Sequence, residues 1–265
     1  MAFCEIRCGD LVFYASSLLA SPHAFTTRHG GVSRGIYATL NLSRSVGDAP
    51  ENVTENYRRL SRALGLETDR FVFTRQVHGT CVRPCSAQDL ISPDADVSYE
   101  ADGLMTDEKN VPLVVTTADC VPILLEDPVR GAVAAVHAGW RGTVGDIAGK
   151  AARRMVEAYG CRPEDIRAAI GPCISLCCFE TGPEVAEAVH TLLGEHASEF
   201  IVPRGEKFMV DLKGINARRL EQAGVLPENI DISDLCTACR SRTFWSHRKT
   251  GGQRGGQAAL IMMRG

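Results

Sequence analysis

Three strand-sized apolar segments joined by short turns place the strongest constraint on the fold of this chain. They span residues 111–117, 120–126 and 131–137, and a segment with apolar residues at helical spacing follows at 143–159. Strands that follow one another directly, rather than alternating singly with helices, do not fit a plain Rossmann order. The pattern therefore predicts a mixed α/β fold whose sheet is partly antiparallel.

The remaining segments extend this prediction without dividing the chain. Residues 48–65 and 182–193 have the pattern of helices, residues 70–74 that of a short strand, and residues 257–262 that of a last strand. In the first helix, acidic residues lie near the start and arginines near the end, which suits the helix dipole. No linker or shift of composition interrupts the chain, so we predict a single domain over residues 1–265.

Charge and composition exclude several classes of protein. The net charge of −3 gives no general attraction to nucleic acid or to an anionic membrane. No apolar segment approaches the roughly 18 residues of a membrane-spanning helix, and the N-terminal residues lack the charged start and long apolar stretch of a secretory signal. Eleven cysteines in a chain of this length are more typical of free thiols than of a secreted disulfide scaffold. These features predict a cytoplasmic protein.

Two histidines and a cysteine have the surroundings expected of metal ligands. His78, Cys120 and His137 lie next to predicted strand ends, and a glycine lies within two residues of each histidine. Turns beside strand ends are common places for binding and catalytic groups. Two imidazoles and a thiolate are a good ligand set for zinc, and three protein ligands leave a fourth position for water or substrate. Zinc would lower the pKa of a water in that position to about 7.

The same residues support a second interpretation that needs no metal. A cysteine and a histidine can form a nucleophile and its base, and a cysteine between two buried strands can also be a small core residue. Asp119 precedes Cys120 and is the acidic residue nearest a candidate ligand, so we predict that, in the zinc interpretation, it transfers protons when the zinc-bound water attacks a substrate. Side chains alternate along a strand, so Asp119 and Cys120 need not point the same way unless the chain bends there.

Five other cysteines form two groups in the sequence. Cys173, Cys177 and Cys178 are close together, and Cys236 and Cys239 have the C-x-x-C spacing. The two groups could hold a structural zinc ion, form a redox pair, or be buried thiols. The motif of zinc nucleobase deaminases is absent, because no H-x-E precedes the Pro-Cys pair at 172–173.

Several arginines in predicted turns indicate an anionic substrate. They are Arg28, Arg75, Arg141, Arg248 and Arg254. A guanidinium binds phosphate or carboxylate through two parallel hydrogen bonds. The glycine-rich residues 251–256 lack the lysine and hydroxyl residue of a P-loop, so they predict a turn that approaches a ligand and not a nucleotide cradle. We predict that Arg28, Arg141 and Arg254 bind the anion.

A series of short motifs along the chain together resembles the YfiH family. The resemblance covers about residues 25–262 and rests on TTRHGGVS (26–33), NL (41–42), RQVHG (75–79), ADGLMTD (101–107), TADCVP (117–122), HAGWRG (137–142), GPCI (171–174), DLCT (234–237) and SHR (246–248). The run GQRGGQ at 252–257 departs from the family's usual Thr-Gly-Arg-Gln-like run, with Arg254 in the place of its arginine.

This resemblance implies a fold, a cofactor and an activity. Members of the family were first described as laccase-like polyphenol oxidases and are now regarded as zinc-dependent purine nucleoside phosphorylases. Their fold is a mixed α/β layered sandwich, also compared with deamidase toxins of the cytotoxic-necrotizing-factor type. The resemblance implies that His78, Cys120 and His137 ligate zinc and that Asn41 helps to bind substrate. The implied partners are phosphate and the nucleosides adenosine, inosine, guanosine and methylthioadenosine, with deamination of adenosine as a second reaction.

Three other functions stay open at this point. Copper binds nitrogen and sulfur ligands more tightly than zinc does, so a copper-dependent polyphenol oxidase is one alternative. A multicopper laccase, however, needs many histidines in His-X-His pairs, and this chain has seven histidines and no such pair. A metal-free cysteine hydrolase or deamidase is the second alternative, and a thiol redox or interaction protein is the third.

Overall fold

Two β-sheets packed face to face form the centre of the molecule, in a computed structural model that describes residues 3–265. The strands of the first sheet are β1 (Phe3–Cys8), β2 (Leu11–Ser16), β3 (His23–Thr26), β6 (Leu113–Thr117) and β14 (Gln257–Ile261). Their order is β1-β2-β3-β14-β6, and every neighbouring pair is antiparallel.

The second sheet has six strands and mixed directions. They are β4 (Val82–Pro84), β5 (Gly103–Thr106), β7 (Val121–Asp127), β8 (Ala132–Ala138), β9 (Arg167–Ile170) and β13 (Ile230–Ile232). In the order β13-β9-β7-β8-β5-β4, the two outer pairs are parallel and the inner pairs antiparallel. A small third sheet contains β10 (Glu180–Thr181), β11 (Ile201–Arg204) and β12 (Lys207–Val210). The partly antiparallel sheet predicted from the sequence is confirmed.

Helices cover the outer faces of the two large sheets. They are α1 (Pro50–Leu64), α2 (Trp140–Val144), α3 (Ile147–Tyr159), α4 (Pro183–Leu193) and α5 (Leu212–Gln222), while the short helix α6 (His247–Thr250) is exposed. Alternate residues of β7 point to opposite faces. Ile123 therefore joins the core with α3 and α5, and Leu124 joins the core between the sheets. On the other side, Tyr57 and Leu60 of α1 pack onto the first sheet. The layered α/β sandwich expected from the resemblance is confirmed.

Two predicted elements differ from the observed ones. The helix predicted over 143–159 is divided into α2 and α3 by Gly145 and Asp146, because Asp146 adopts a left-handed conformation with φ of 65°. The Asp146 carboxylate is held there by the Arg219 guanidinium at 2.8 Å. Residues 70–74 form only isolated bridges at Phe71 and Val72 instead of a strand. In residues 3–265 no helix is long and apolar enough to cross a bilayer.

The bend between β6 and β7 is the feature of the fold that positions the site. β6 belongs to the first sheet and β7 to the second, so residues 118–120 carry the chain from one sheet to the other. Asp119 has a φ of 89°, which reverses the local direction of the chain. The bend predicted around residues 118–119 is confirmed, and it places Cys120 directly before β7.

Candidate metal and active site

His78, Cys120 and His137 come together beside the bend, although 59 residues separate the first of them from the last. Their candidate ligand atoms all lie within 4.8 Å of one another. The Cys120 Sγ is 3.8 Å from the His78 Nε2, and the two imidazole ring centres are 4.9 Å apart. The strands set this geometry, because His137 near the end of β8 pairs with Pro122 near the start of β7.

Asp102 organises this group, and reasoning from the sequence assigned it no role. It precedes β5 and is fully buried. Its Oδ1 lies 2.8 Å from the His137 Nδ1, and its carboxylate accepts hydrogen bonds from the backbone N–H groups of Val77, His78 and Gly79 at 3.1, 3.0 and 2.7 Å. One buried carboxylate thus orients the His137 ring and holds the turn in which His78 has a φ of 59°. The 101–107 motif contains two aspartates, Asp102 and Asp107, and nothing in the sequence distinguishes the one that acts here.

Charge interactions define the protonation states within this group. Burial opposes ionisation of Asp102, but the hydrogen bonds from His137 and the backbone keep its pKa below the usual value. Burial also opposes the charged forms of Cys120 and His137. Their mutual attraction nevertheless lowers the pKa of Cys120 and raises the pKa of His137. The residues therefore favour a Cys120 thiolate, which is the form that ligates a metal or attacks a substrate.

The three residues fit a metal ion by their donor types and spacing. Zinc bonds of about 2.3 Å to sulfur and about 2.0–2.1 Å to nitrogen separate two tetrahedral ligand atoms by about 3.5 Å, which is close to the observed sulfur–nitrogen distance. Because the His137 Nδ1 faces Asp102, the Nε2 is the nitrogen left for a metal, and a carboxylate–histidine pair of this kind is typical of metal sites. Gly139 allows the close approach, since a Cβ there would lie 2.7 Å from the His78 Cδ2.

A cavity of about 260 Å³ opens onto the three candidate ligands. Its other walls combine apolar and polar groups, and the polar ones include the side chains of Arg44, Arg75, Gln76, Thr116, Thr117 and Arg254. Gln76 is fixed by two hydrogen bonds of 2.8 Å with the backbone of Thr116. The cavity thus combines a candidate metal site with cationic and hydroxyl groups, which is a suitable lining for a polar, anionic substrate.

Arg254 is the arginine of this cavity best placed to bind an anion. Its buried Nε has no hydrogen-bond partner within residues 3–265, and one other guanidinium nitrogen donates to the Gly255 carbonyl at 2.9 Å. Arg75, in contrast, forms an ion pair with Glu100 at 3.0 Å, and the Arg44 Nε donates to a backbone carbonyl at 2.7 Å. Burial lowers the pKa of Arg254, while the charges of Asp119 and Cys120 counteract this effect.

The other predicted substrate residues lie outside the lining of the cavity. The Arg28 guanidinium donates to the carbonyls of Ser241 and Ala38 at 3.0 Å and stacks on Trp245. Arg141 is exposed on α2 and lies over the Trp140 ring. Their roles in substrate binding stay predictions, and the observed contacts of Arg28 are those of a residue that holds loops together.

Asn41 and Asp119 contact the segments around the cavity. The Asn41 Oδ1 accepts hydrogen bonds from the backbone N–H groups of Ser43 and Gly256 at 3.0 and 2.8 Å, and both of those residues line the cavity. The Asp119 carboxylate accepts hydrogen bonds from Thr237, Ser246 and the backbone of Arg248 at 2.6, 3.0 and 2.7 Å. Asp119 therefore anchors the segment 237–248, and its predicted role in proton transfer stays a prediction.

Asp102→Asn is expected to weaken zinc binding at this site by about 10- to 100-fold, the usual effect of losing a partner of a metal-ligating histidine. The substitution keeps the shape of the side chain but removes the charge that orients the His137 ring. Zinc affinity measured by competition with a chelator tests this expectation. The matched control is Asp107→Asn, an exposed residue beyond the same strand, and equal affinities in the two variants would contradict the role of Asp102.

Comparisons with known proteins agree with the fold. A family model described as multi-copper polyphenol oxidoreductase laccase matches residues 22–264. A purine nucleoside phosphorylase of Deinococcus radiodurans is 42% identical over 244 residues, which cover 92% of this chain and 89% of the relative. The purine nucleoside phosphorylase YlmD of Geobacillus stearothermophilus is 36% identical over 98% of this chain and 94% of its own. The crystal structure of Bacillus licheniformis YfiH superposes with a TM-score of 0.92 at 29% identity, covering 99% of both chains.

These matches extend over nearly the whole chain and confirm the resemblance drawn from the short motifs. The relatives carry two kinds of description, since the family model refers to a laccase and the similar proteins are named purine nucleoside phosphorylases. The shared fold and the length of the matches assign the family whichever of the two descriptions, laccase or phosphorylase, is used. This chain belongs to the YfiH/YlmD family of proteins.

Proposed function

We propose that this protein is a zinc-dependent purine nucleoside phosphorylase that also deaminates adenosine. The main observation in support is the arrangement of one cavity, which is lined both by the three candidate zinc ligands and by Arg254, whose Nε has no hydrogen-bond partner within residues 3–265. The substrates proposed are adenosine, inosine, guanosine and methylthioadenosine, together with phosphate. The relatives named as purine nucleoside phosphorylases support this class of reaction.

Phosphorolysis joins a phosphate oxygen to C1′ of the nucleoside while the bond from C1′ to the purine nitrogen breaks. The products are the sugar 1-phosphate and the free base. The sugar becomes cationic in the transition state, and the leaving purine takes the bond's electron pair and then a proton. Arg254 is proposed to hold the phosphate, because hydrogen bonds between charged groups are about twice as strong as neutral ones. The buried Thr117 hydroxyl, which has no partner within residues 3–265, is a second donor in the same wall.

The candidate zinc ligands lie in the same cavity as these groups. A zinc ion bound by His78, Cys120 and His137 would supply Lewis acidity where the purine or a water molecule is activated. Asp102 keeps the His137 ring oriented for that role. Deamination of adenosine requires a water and a group that transfers protons, and Asp119 is the proposed group, since it is adjacent to Cys120 in the chain.

A laccase function has weaker support from the residues. In residues 3–265 only two groups of three or more potential ligands occur, namely His78/Cys120/His137 and Cys177/Cys178/Cys236/Cys239. A multicopper oxidase requires a trinuclear cluster ligated by many histidines, and neither group offers more than two. A single copper ion fits the first group by its donor types, so copper is proposed only as a replacement for zinc.

A cysteine hydrolase or deamidase is the second candidate function, and one observation favours it. Cys120, His137 and Asp102 lie next to one another in that order. They supply the thiol, imidazole and carboxylate found in nucleophilic hydrolases, and the His137–Asp102 contact is 2.8 Å. In such an enzyme the thiolate attacks the substrate directly, and no metal is required.

An assay of phosphate dependence separates these functions. Protein purified without added copper is incubated with each nucleoside, with and without phosphate, and the products are identified. We expect free base and sugar 1-phosphate only when phosphate is present, and loss of activity after removal of zinc. Formation of free ribose without phosphate, with full activity after removal of the metal, would support the hydrolase instead.

A further inference from the structure

A second cluster of thiols lies outside the candidate active site. Cys177 and Cys178 meet Cys236 and Cys239, and all four sulfur atoms lie within 4.8 Å of one another. The distances are 3.3 Å between the Cys178 and Cys239 sulfurs, 3.6 Å between those of Cys177 and Cys239, and 3.8 Å between those of Cys177 and Cys178. Chance proximity is a poor explanation, because two pairs from distant parts of the chain converge on one point.

The backbone around the cluster is arranged for a charged sulfur. Cys173 and Cys236 form a parallel bridge, and the Ser175 backbone N–H donates to the Cys236 Sγ at 3.4 Å. Backbone N–H groups directed at a sulfur stabilise a thiolate, and the thiolate is the metal-binding form.

We propose that Cys177, Cys178, Cys236 and Cys239 bind a single structural zinc ion, separate from the candidate active site. Four thiolates at about 2.3 Å from a tetrahedral zinc ion lie about 3.8 Å from one another, which is close to the observed sulfur–sulfur distances of 3.3, 3.6 and 3.8 Å. An iron–sulfur cluster divides its cysteines among two or more iron atoms and separates them further. A single disulfide would join only two of the four sulfurs, whereas a tetrahedral ion uses all four.

The contacts of the cluster explain what the zinc ion would stabilise. Thr237, between two of the cysteines, donates to Asp119 at 2.6 Å, and the Ile174 N–H donates to the Asp119 carbonyl at 2.9 Å. Arg248 donates through its guanidinium to the Cys178 carbonyl at 3.0 Å and through its backbone to Asp119 at 2.7 Å. The zinc ion therefore ties together the two segments that hold Asp119, and Asp119 forms the bend that places Cys120.

Counting the metal ions in variants of the full chain tests this second site. Protein purified without added metal and passed over a desalting column is measured by mass spectrometry of the elements. We expect two zinc ions per chain in the natural protein and in Cys8→Ser, an exposed cysteine on β1. We expect one in Cys120→Ala and one in the double variant Cys236→Ser/Cys239→Ser. A natural protein with one zinc that is lost in Cys120→Ala would overturn the second site without affecting the proposed phosphorylase function.

Cobalt substitution keeps the test valid if the double variant fails to fold. In Cys120→Ala the four cysteines of the cluster are intact, so cobalt bound there is expected to give the intense absorption of a tetrahedral tetrathiolate complex. Absence of this absorption, or a Cys178–Cys239 disulfide found by peptide mapping of the native protein, would overturn the proposal. Zinc in this cluster together with absent phosphorolysis would refute only the proposed function.

Discussion

Cys120→Ala is expected to abolish zinc binding at the active site and to reduce phosphorolysis by more than about 100-fold. The reduction should exceed the 10- to 100-fold effect of losing a residue that only supports a metal ligand, because this variant loses a ligand itself. Two imidazoles alone bind zinc more weakly, and the charge of the thiolate is lost as well. Zinc content and the rate of sugar 1-phosphate formation are measured on the same preparation.

The control for this variant is Cys161→Ala. Cys161 is a buried cysteine in the core between the second sheet and its helices, so its replacement tests the loss of a buried thiol far from the cavity. We expect Cys161→Ala to keep its zinc and its activity. If metal-stripped natural protein stays fully active and alkylation of Cys120 abolishes that activity, Cys120 is a nucleophile and the zinc mechanism is wrong.

Arg254→Met is expected to raise the KM for phosphate by about 10- to 100-fold while the zinc content stays constant. Hydrogen bonds to charged groups contribute about 1.5–3 kcal/mol each, and each 1.4 kcal/mol corresponds to a factor of ten. Arg254→Lys should lie between the natural protein and Arg254→Met, since lysine keeps the charge but lacks the two-pronged geometry. Adenosine deamination needs no phosphate and should be affected less.

The matched controls are Arg141→Met and Arg28→Met, which were predicted to bind the anion but lie outside the cavity lining. Arg141 is exposed, so we expect its variant to keep the natural KM for phosphate. Arg28 is held by two backbone carbonyls, so its variant is expected to lose stability and to leave the KM for phosphate unchanged. If phosphorolysis and deamination fall together in the Arg254 variants, Arg254 is structural and its assignment to phosphate is wrong.

Features set by neighbouring residues were predicted from the sequence with good accuracy. The helix expected over 48–65 is observed as Pro50–Leu64, with Pro50 at its first turn and Gly65 in the left-handed conformation that ends it. The bend around 118–119 and the strands on both sides of it were also predicted correctly. In each case the determining interactions lie within a few residues of one another, so the spacing of apolar residues, prolines and glycines is sufficient.

The candidate site could be predicted only in part, because its residue types are local features and its assembly depends on contacts between distant segments. The sequence indicated His78, Cys120 and His137 one by one, from their residue types and their turns. Their convergence is a result of strand pairing, in which β7 and β8 bring the last two together and β5 brings Asp102 beside His137. No local pattern distinguishes Asp102 from the other aspartates, because its partners lie 23 to 35 residues away in the chain.

By itself, the sequence determined most of the elements, the mixed sheet and the family, and it indicated the candidate ligands, because these follow from periodicity, short motifs and residue chemistry. Only the tertiary structure decided which of the three arginines predicted to bind the anion lines the cavity, with Arg254 inside it and Arg28 and Arg141 outside. It also decided that Cys178 meets Cys239 across 61 residues of chain. The physical reason is common to both cases, since the direction of a side chain and its distant neighbours depend on strand register and loop closure, which involve the whole chain.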